Sequence, residues 1–293
     1  MELFDKLTGV ARVGLGLAAV GRPAYINLGR EADLPADRSV EAMRERAHEL
    51  LDRAYAAGVR YFDVARSYGR SEEFLASWLP GHDDALVGSK WGYTYTANWQ
   101  LEAEAHEVKD HSVATFDRQI AETRALLGDR LGLYQIHSVT PDSPALTDQT
   151  LHRRLAGQGA VVGLSTSGPR QAEAIRAALA VEVDGEPLFR SVQATWNLLE
   201  PSAGPALAEA HASGRAVIVK EAMANGRLAG RDAEALAAAL DQPWATVVLS
   251  GAATEAQLTS NLRAAGLDPA TIHPVEAETP EAYWATRAAL PWA

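Results

Sequence analysis

The sequence predicts a single (β/α)8 barrel spanning residues 1–293, and three observations carry that prediction. Short runs rich in Val, Ile and Leu alternate with longer Ala-, Arg-, Glu- and Leu-rich segments of helical spacing, as parallel strands joined by crossover helices should. Eight such runs occur: Arg12–Ala18, Tyr61–Ala65, Ala85–Lys90, Leu131–His137, Val161–Ser165, Ser191–Thr195, Ala216–Lys220 and Val247–Ser250. Divided over the chain they give roughly 36 residues per unit, which suits a closed barrel better than an open sheet with a second domain.

Taken in order, Arg12–Ala18 leads into Val20-Gly-Arg-Pro-Ala-Tyr-Ile-Asn-Leu-Gly, which Gly and Pro mark as a loop. Gly14-Leu-Gly-Leu-Ala-Ala spells the G-x-G-x-x-A of a dinucleotide turn, but that motif should open a helix, and here a loop follows. Ser39 caps a helix over Val40–Ala57, Ser112 caps Val113–Leu127, and Thr254 caps Glu255–Ala265. Gln171–Ala180 and Pro205–Ala212 follow the fifth and sixth strands. Asp184-Gly-Glu reads as a turn, with a weak calcium contact as the alternative. The stretch from Leu228 to Val247 holds one good helix, Ala233–Leu240.

Composition narrows the function classes. A hydrophobic share of 47% allows a full core, and a net charge of -11 speaks against nucleic acid or an anionic membrane as partner. There is no cysteine, so disulfides, thiolate metal sites and cysteine nucleophiles are excluded. No apolar stretch approaches a membrane span, and the opening Met1-Glu-Leu-Phe-Asp-Lys lacks a signal-peptide pattern, so a cytoplasmic protein is expected. His106-Glu-Val-Lys-Asp-His111 nearly spells a zinc motif. Histidines five apart differ by about 140° around a helix, however, so a solvated loop or helix start is the expectation.

In a barrel of this kind, functional side chains gather at the carboxyl ends of the strands. Asp63, Tyr68, Lys90 and His137 fall there. A phenol of pKa about 10 is a poor acid near neutrality, and a nearby ammonium lowers it. Lys90 is the candidate cation, Asp63 the anion that keeps it charged, and His137 a donor to a carbonyl oxygen beside Tyr68.

Gly58-Val-Arg-Tyr-Phe-Asp-Val-Ala-Arg-Ser-Tyr-Gly, Gly88-Ser-Lys and Leu133-Tyr-Gln-Ile-His resemble, in order, the catalytic segments of the aldo-keto reductase family. The similarity continues through Val162-Gly-Leu-Ser, Val192-Gln and Leu249-Ser-Gly-Ala-Ala-Thr-Glu-Ala-Gln-Leu-Thr-Ser-Asn-Leu. This resemblance implies reduction of an aldehyde or ketone by hydride from a nicotinamide cofactor, NADP with NAD as the alternative, and Tyr68 as general acid. It also implies that Ser165 and Gln193 hold the carboxamide, with Thr166 in place of a common Asn. Lys220 takes the position of an aromatic that stacks on nicotinamide, so its stem or Trp196 is expected to cover that ring. Ser250, Gly251, Thr254, Gln257 and Asn261 are expected along the adenosine end, where Gly251, Ala252, Ala253 and Gln257 replace basic residues of many NADP-preferring members. Glu221 replaces a serine near the pyrophosphate and is compatible with it only if its side chain turns away.

Aromatics cluster after the third strand as Trp91, Tyr93, Tyr95 and Trp99. With Tyr25, Asn27 and Trp196 they point to an apolar or aromatic carbonyl substrate. Two rival readings share the barrel: a non-catalytic nucleotide-binding regulatory subunit, and a lyase that uses Lys90 as a Schiff-base amine. Oligomeric state is not legible in the residues.

Overall fold

Val13–Gly16 (β1) pairs in parallel with both the last barrel strand and the second, and that double pairing closes the sheet. The computed structural model describes residues 3–5, 7–26, 28 and 31–292. The remaining barrel strands are Tyr61–Asp63 (β2), Leu86–Trp91 (β3), Leu131–Val139 (β4), Val161–Thr166 (β5), Ser191–Thr195 (β6), Ala216–Lys220 (β7) and Val247–Ser250 (β8). Each pairs with its chain neighbour, so the fold is a (β/α)8, or TIM, barrel. All eight strands sit where the hydrophobic runs place them, shifted by a few residues at their ends.

Two layers of side chains hold the barrel. Tyr61, Leu133, Ala216, Ile218, Val247 and Leu249 fill its interior with Phe4, whose ring meets that of Tyr61 edge to face at 5.3 Å. Outside the sheet, strand residues such as Val13, Phe62, Val87, Tyr134 and Val192 pack against the helices Val40–Ala56 (α1), Ser71–Trp78 (α2), Val113–Leu127 (α3), Gln149–Ala156 (α4) and Gln171–Leu179 (α5). Gly204–Ala212 (α6), Asp232–Leu240 (α7) and Glu255–Leu262 (α8) complete the ring. Pro280–Ala288 (α9) packs Tyr283 and Trp284 against Leu199, Leu228 and Ala235.

The cap residues work as read: the side chains of Ser39, Ser112 and Thr254 accept from the backbone N–H three positions on. The seventh crossover carries the single helix α7. Asp184 and Gly185 are the left-handed pair of a tight hairpin turn between Glu182–Val183 and Glu186–Pro187. Three helices escape the sequence reading. α2 has no side-chain cap, α4 buries only Leu151, His152 and Leu155, and α9 stands alone after a long irregular stretch. A hairpin of Tyr93–Tyr95 with Glu107–Lys109 is likewise invisible to periodicity, because its second strand is largely exposed. Asn27 lies outside the described residues. Among the described residues, no helix is long and apolar enough to cross a membrane.

Candidate active site

The carboxylate of Asp63 ends β2 and is 2% exposed. Three groups hold it. The ammonium of Lys90 forms a buried ion pair with Oδ1, the Tyr61 hydroxyl donates to Oδ2 at 3.2 Å, and the Gln193 amide donates to Oδ2 at 2.9 Å. Lys90, fully buried on β3, also donates to the Val64 carbonyl at 3.1 Å. Gly88, opposite Asp63 in the register, makes this possible: a Cβ there would stand 2.1 Å from the Tyr61 hydroxyl.

Tyr68 stands on the turn after β2, fixed by its N–H to the Ala65 carbonyl and by the Ser71 N–H to its own carbonyl, both at 3.0 Å. Its hydroxyl lies 3.4 Å from Nε2 of His137, and the Lys90 ammonium is 4.8 Å from the centroid of its ring. His137 precedes a break in the β4–β5 register where Ser138 adopts φ +55°, the kind of bulge that re-aims a neighbouring side chain. The Ser67 hydroxyl lies 3.4 Å from His137 Nδ1.

Electrostatics correct one expectation. Lys90 is expected to bring the Tyr68 pKa below its ordinary value, yet the net effect of the site holds Tyr68 well above 10, by burial first and by the charge of Asp63 second. Of the nearby cations, Arg22 opposes the rise most strongly, while part of the Lys90 charge is spent on the Asp63 carboxylate. His137 is driven well below 6.5 by burial and by Lys90, so its ring is neutral.

A cavity of about 290 Å3 runs from these groups across the barrel mouth. Of the residues read as binding a cofactor, Gln193, Lys220, Ser250, Gly251, Gln257 and Asn261 line it. Ser165 and Thr166 do not. Both are buried: the Ser165 hydroxyl accepts from the Ser138 N–H at 2.8 Å, and Thr166 donates to Gln171 at 3.3 Å. Thr254 also stands outside the wall, its hydroxyl accepting from Gln257 N–H as the cap of α8.

Glu221 turns onto α9, as compatibility with a phosphate requires. Arg287 Nε donates to its two oxygens at 2.9 and 3.0 Å, and Thr195 donates at 3.0 Å. Burial opposes the charge, but Lys220 and Arg287 hold Glu221 down to about 2. Burial brings Lys220 to about 8, against the pull of Glu221.

The aromatic residues behave differently from their reading. Trp91 is fully buried against Phe116 and His111, Trp99 packs on Phe74, and Trp196 packs on Trp244. Tyr93 touches His137 from behind, at 5.1 Å between centroids. None of these, nor Tyr95, lines the cavity; Tyr25 does, together with Trp292, Arg22 and Glu107, which the sequence reading missed. His111 was read as solvated but is 5% exposed, bonded to Ser143 Oγ at 2.7 Å and to the His137 carbonyl at 2.8 Å. The hairpin folds it inward.

The sequence profile of the aldo/keto reductase family matches residues 36–239, more than half of the chain. The chain belongs to that family. Over 163 residues, 53% of its length, it is 28% identical to Aldo-keto reductase str7 of Strobilurus tenacellus, and the match spans 45% of that relative. A provisionally assigned aldo-keto reductase of Pseudomonas aeruginosa superposes with a TM-score of 0.67 at 24% identity, covering 90% of this chain and 96% of that one. The holo form of a Bacillus halodurans aldo-keto reductase gives 0.64 at 18% identity, over 96% and 93% of the two chains. At such identities the likeness is one of fold.

Family members generally bind a nicotinamide cofactor, and the cavity fits an extended ligand of that kind. It is continuous from Tyr68 and His137 to Gln257 and Asn261, nothing lies within 4 Å of a Cβ built on Gly251, and the buried Oδ1 of Asn225 on its wall has no partner.

Proposed function

We propose that this chain, acting as one barrel domain over residues 1–293, reduces an aldehyde or ketone to an alcohol with Tyr68 as general acid. The observation that carries the reading is the convergence of the Tyr68 hydroxyl and His137 Nε2 on the cavity, beside the buried Lys90–Asp63 pair.

A reduced nicotinamide, when bound, supplies the hydride. The chain's own groups handle the proton and the charge. Because burial raises Tyr68, the phenol carries its proton at neutral pH. We assign the neutral His137 the tautomer in which Nδ1 accepts from the Ser67 hydroxyl, 3.4 Å away, and Nε2–H is left to donate. Tyr68 O–H and His137 Nε2–H then share one carbonyl oxygen, and Tyr68 gives up its proton as charge gathers there. The ammonium of Lys90, over the face of the same ring, stabilises the phenolate that remains. Asp63 keeps that ammonium charged and Gln193 keeps Asp63 oriented, so both are positioning residues.

Along the wall, Lys220, Ser250, Gly251, Gln257 and Asn261 hold the dinucleotide. Among the described residues, the far end is lined by the carboxylates of Asp33 and Asp232 and by no Lys or Arg, which favours NAD over the NADP that the resemblance implies. Lys90 is an unsuitable Schiff-base amine, since it is fully buried and bound to Asp63 and Val64. A protein of this family is expected to work in the cytoplasm.

Fluorescence titration with NADH and NADPH, followed by steady-state assays on a broad carbonyl panel, tests the reading. Cofactor binding without turnover of any compound would replace it with the nucleotide-binding regulatory subunit.

A further inference from the structure

Arg22 lines the same cavity as Tyr68 and has no part in the chemistry above. It is 2% exposed. Its two hydrogen bonds both leave from Nη1, to the Ser67 carbonyl and to Glu107 Oε2, each at 2.9 Å, while its Nε is buried without a partner. A guanidinium carries five N–H donors, and in a buried one they are ordinarily satisfied. Here the flat faces are enclosed instead: Cζ lies 4.7 Å from the ring centroid of Trp292, 5.0 Å from Tyr25 and 5.3 Å from Tyr68.

The backbone is built to put Arg22 there. A Cβ on Gly21 would come within 2.4 Å of the Tyr68 carbonyl, and one on Gly69, left-handed at φ +58°, within 2.5 Å of the Gly21 carbonyl. The Arg70 N–H donates to Gly21 O at 2.7 Å. Two glycines thus let the loop after β1 cross the turn that carries Tyr68, and the arginine next in sequence is locked beside the phenol. Among the described residues around this end of the cavity, the four cations Arg22, Lys90, Lys220 and Arg287 face the three carboxylates Asp63, Glu107 and Glu221, leaving one positive charge in excess.

Resting on the reductase reading of this site, we propose that Arg22 is a specificity-determining residue that receives the carboxylate of a short oxo acid. The fork of a guanidinium matches a carboxylate with two parallel hydrogen bonds, and low exposure strengthens both. Glu107 shows one carboxylate oxygen already seated on Nη1; the substrate takes the remaining edge, which includes the unpartnered Nε. Tyr25 and Trp292 spend their faces on the guanidinium, so they serve an anionic substrate through Arg22 rather than an aromatic one directly.

The test is a series of short ω-oxo acids, each assayed beside its methyl ester. At least one acid should exceed its ester in kcat/KM by about tenfold, the worth of one charge-assisted pair. Arg22→Gln should bring that ratio to about one, and Arg22→Lys should recover part of it. A ratio near one in the unmodified protein, or one that Arg22→Gln does not move, overturns the proposal while leaving carbonyl reduction intact. If Arg22→Gln does not fold, Glu107→Gln decides: freeing Nη1 should raise the ratio several-fold, and no rise sinks the idea. If no carbonyl compound is reduced at all, the reductase reading is what fails. Calorimetry with butanoate then judges Arg22 alone: binding about tenfold weaker in Arg22→Gln supports it, and equal binding overturns it.

Discussion

The hydroxyl of Tyr68 lies 3.4 Å from Nε2 of His137, and the two rings meet edge to face with centroids 5.4 Å apart. An acid whose pKa is raised faces a base whose pKa is lowered, so neither gives up or takes a proton at rest. In the proposed reaction, transfer waits for a carbonyl oxygen that both groups can reach.

Tyr68→Phe removes the transferable proton and little else. Turnover should fall by about 10²- to 10⁴-fold, with reduced-cofactor affinity, read by fluorescence titration, essentially unchanged. Undiminished turnover would take the acid role away from Tyr68.

Lys90→Met leaves Asp63 buried without its cation. Urea unfolding should show a loss of about 3–5 kcal/mol, and the variant Asp63→Asn/Lys90→Met should recover much of it. In the surviving enzyme the basic limb of the pH profile should move upward, because the Asp63 charge beside Tyr68 is then unopposed. An unmoved limb would mean that Lys90 has no electrostatic hold on the phenol.

Two buried histidines set an acid limit on stability. Burial brings His111 down to about 4 and His137 well below 6.5. Above 6.5 both are neutral, folded or unfolded, and no stability is lost. As pH falls below 6.5 the unfolded chain takes up protons that the fold refuses, so stability declines through the window from 6.5 to about 4. Urea midpoints measured from pH 7.5 to 4.5 should fall steadily, and His111→Gln should flatten part of the slope. Constant midpoints across that range would contradict the buried neutral state.

The proposed preference for NAD rests on Asp33 and Asp232 at the end of the cavity away from Tyr68. The Asp33 carboxylate is held by the Gln257 amide at 2.8 Å, so it cannot easily swing aside. NADH should bind about tenfold more tightly than NADPH, because an added phosphate meets fixed negative charge. Tighter binding of NADPH would reverse this assignment.

Strand positions were legible because a strand buried on both faces must be continuously apolar, and eight such runs separated by helical segments leave few architectures open. Asp63, Tyr68, Lys90 and His137 could be nominated for a related reason: polar residues at or just beyond the ends of such apolar runs mark the barrel mouth.

What the linear order could not disclose is which distant groups meet. Arg22 reaches Tyr68 only because Gly21 and Gly69 let two backbones cross, and Glu221 is tamed by Arg287, 66 residues further on. Trp91 and Trp196 looked like a substrate pocket and became packing, since whether a ring faces the cavity or the helices depends on the pleat and on neighbours that closure of the barrel brings together. Sequence alone determined the barrel and nominated its candidate reactive groups, because hydrophobic period and strand-end polarity are local properties. Charge balance, exposure and the direction of each pKa shift belong to three-dimensional neighbours, and only the tertiary structure decided them.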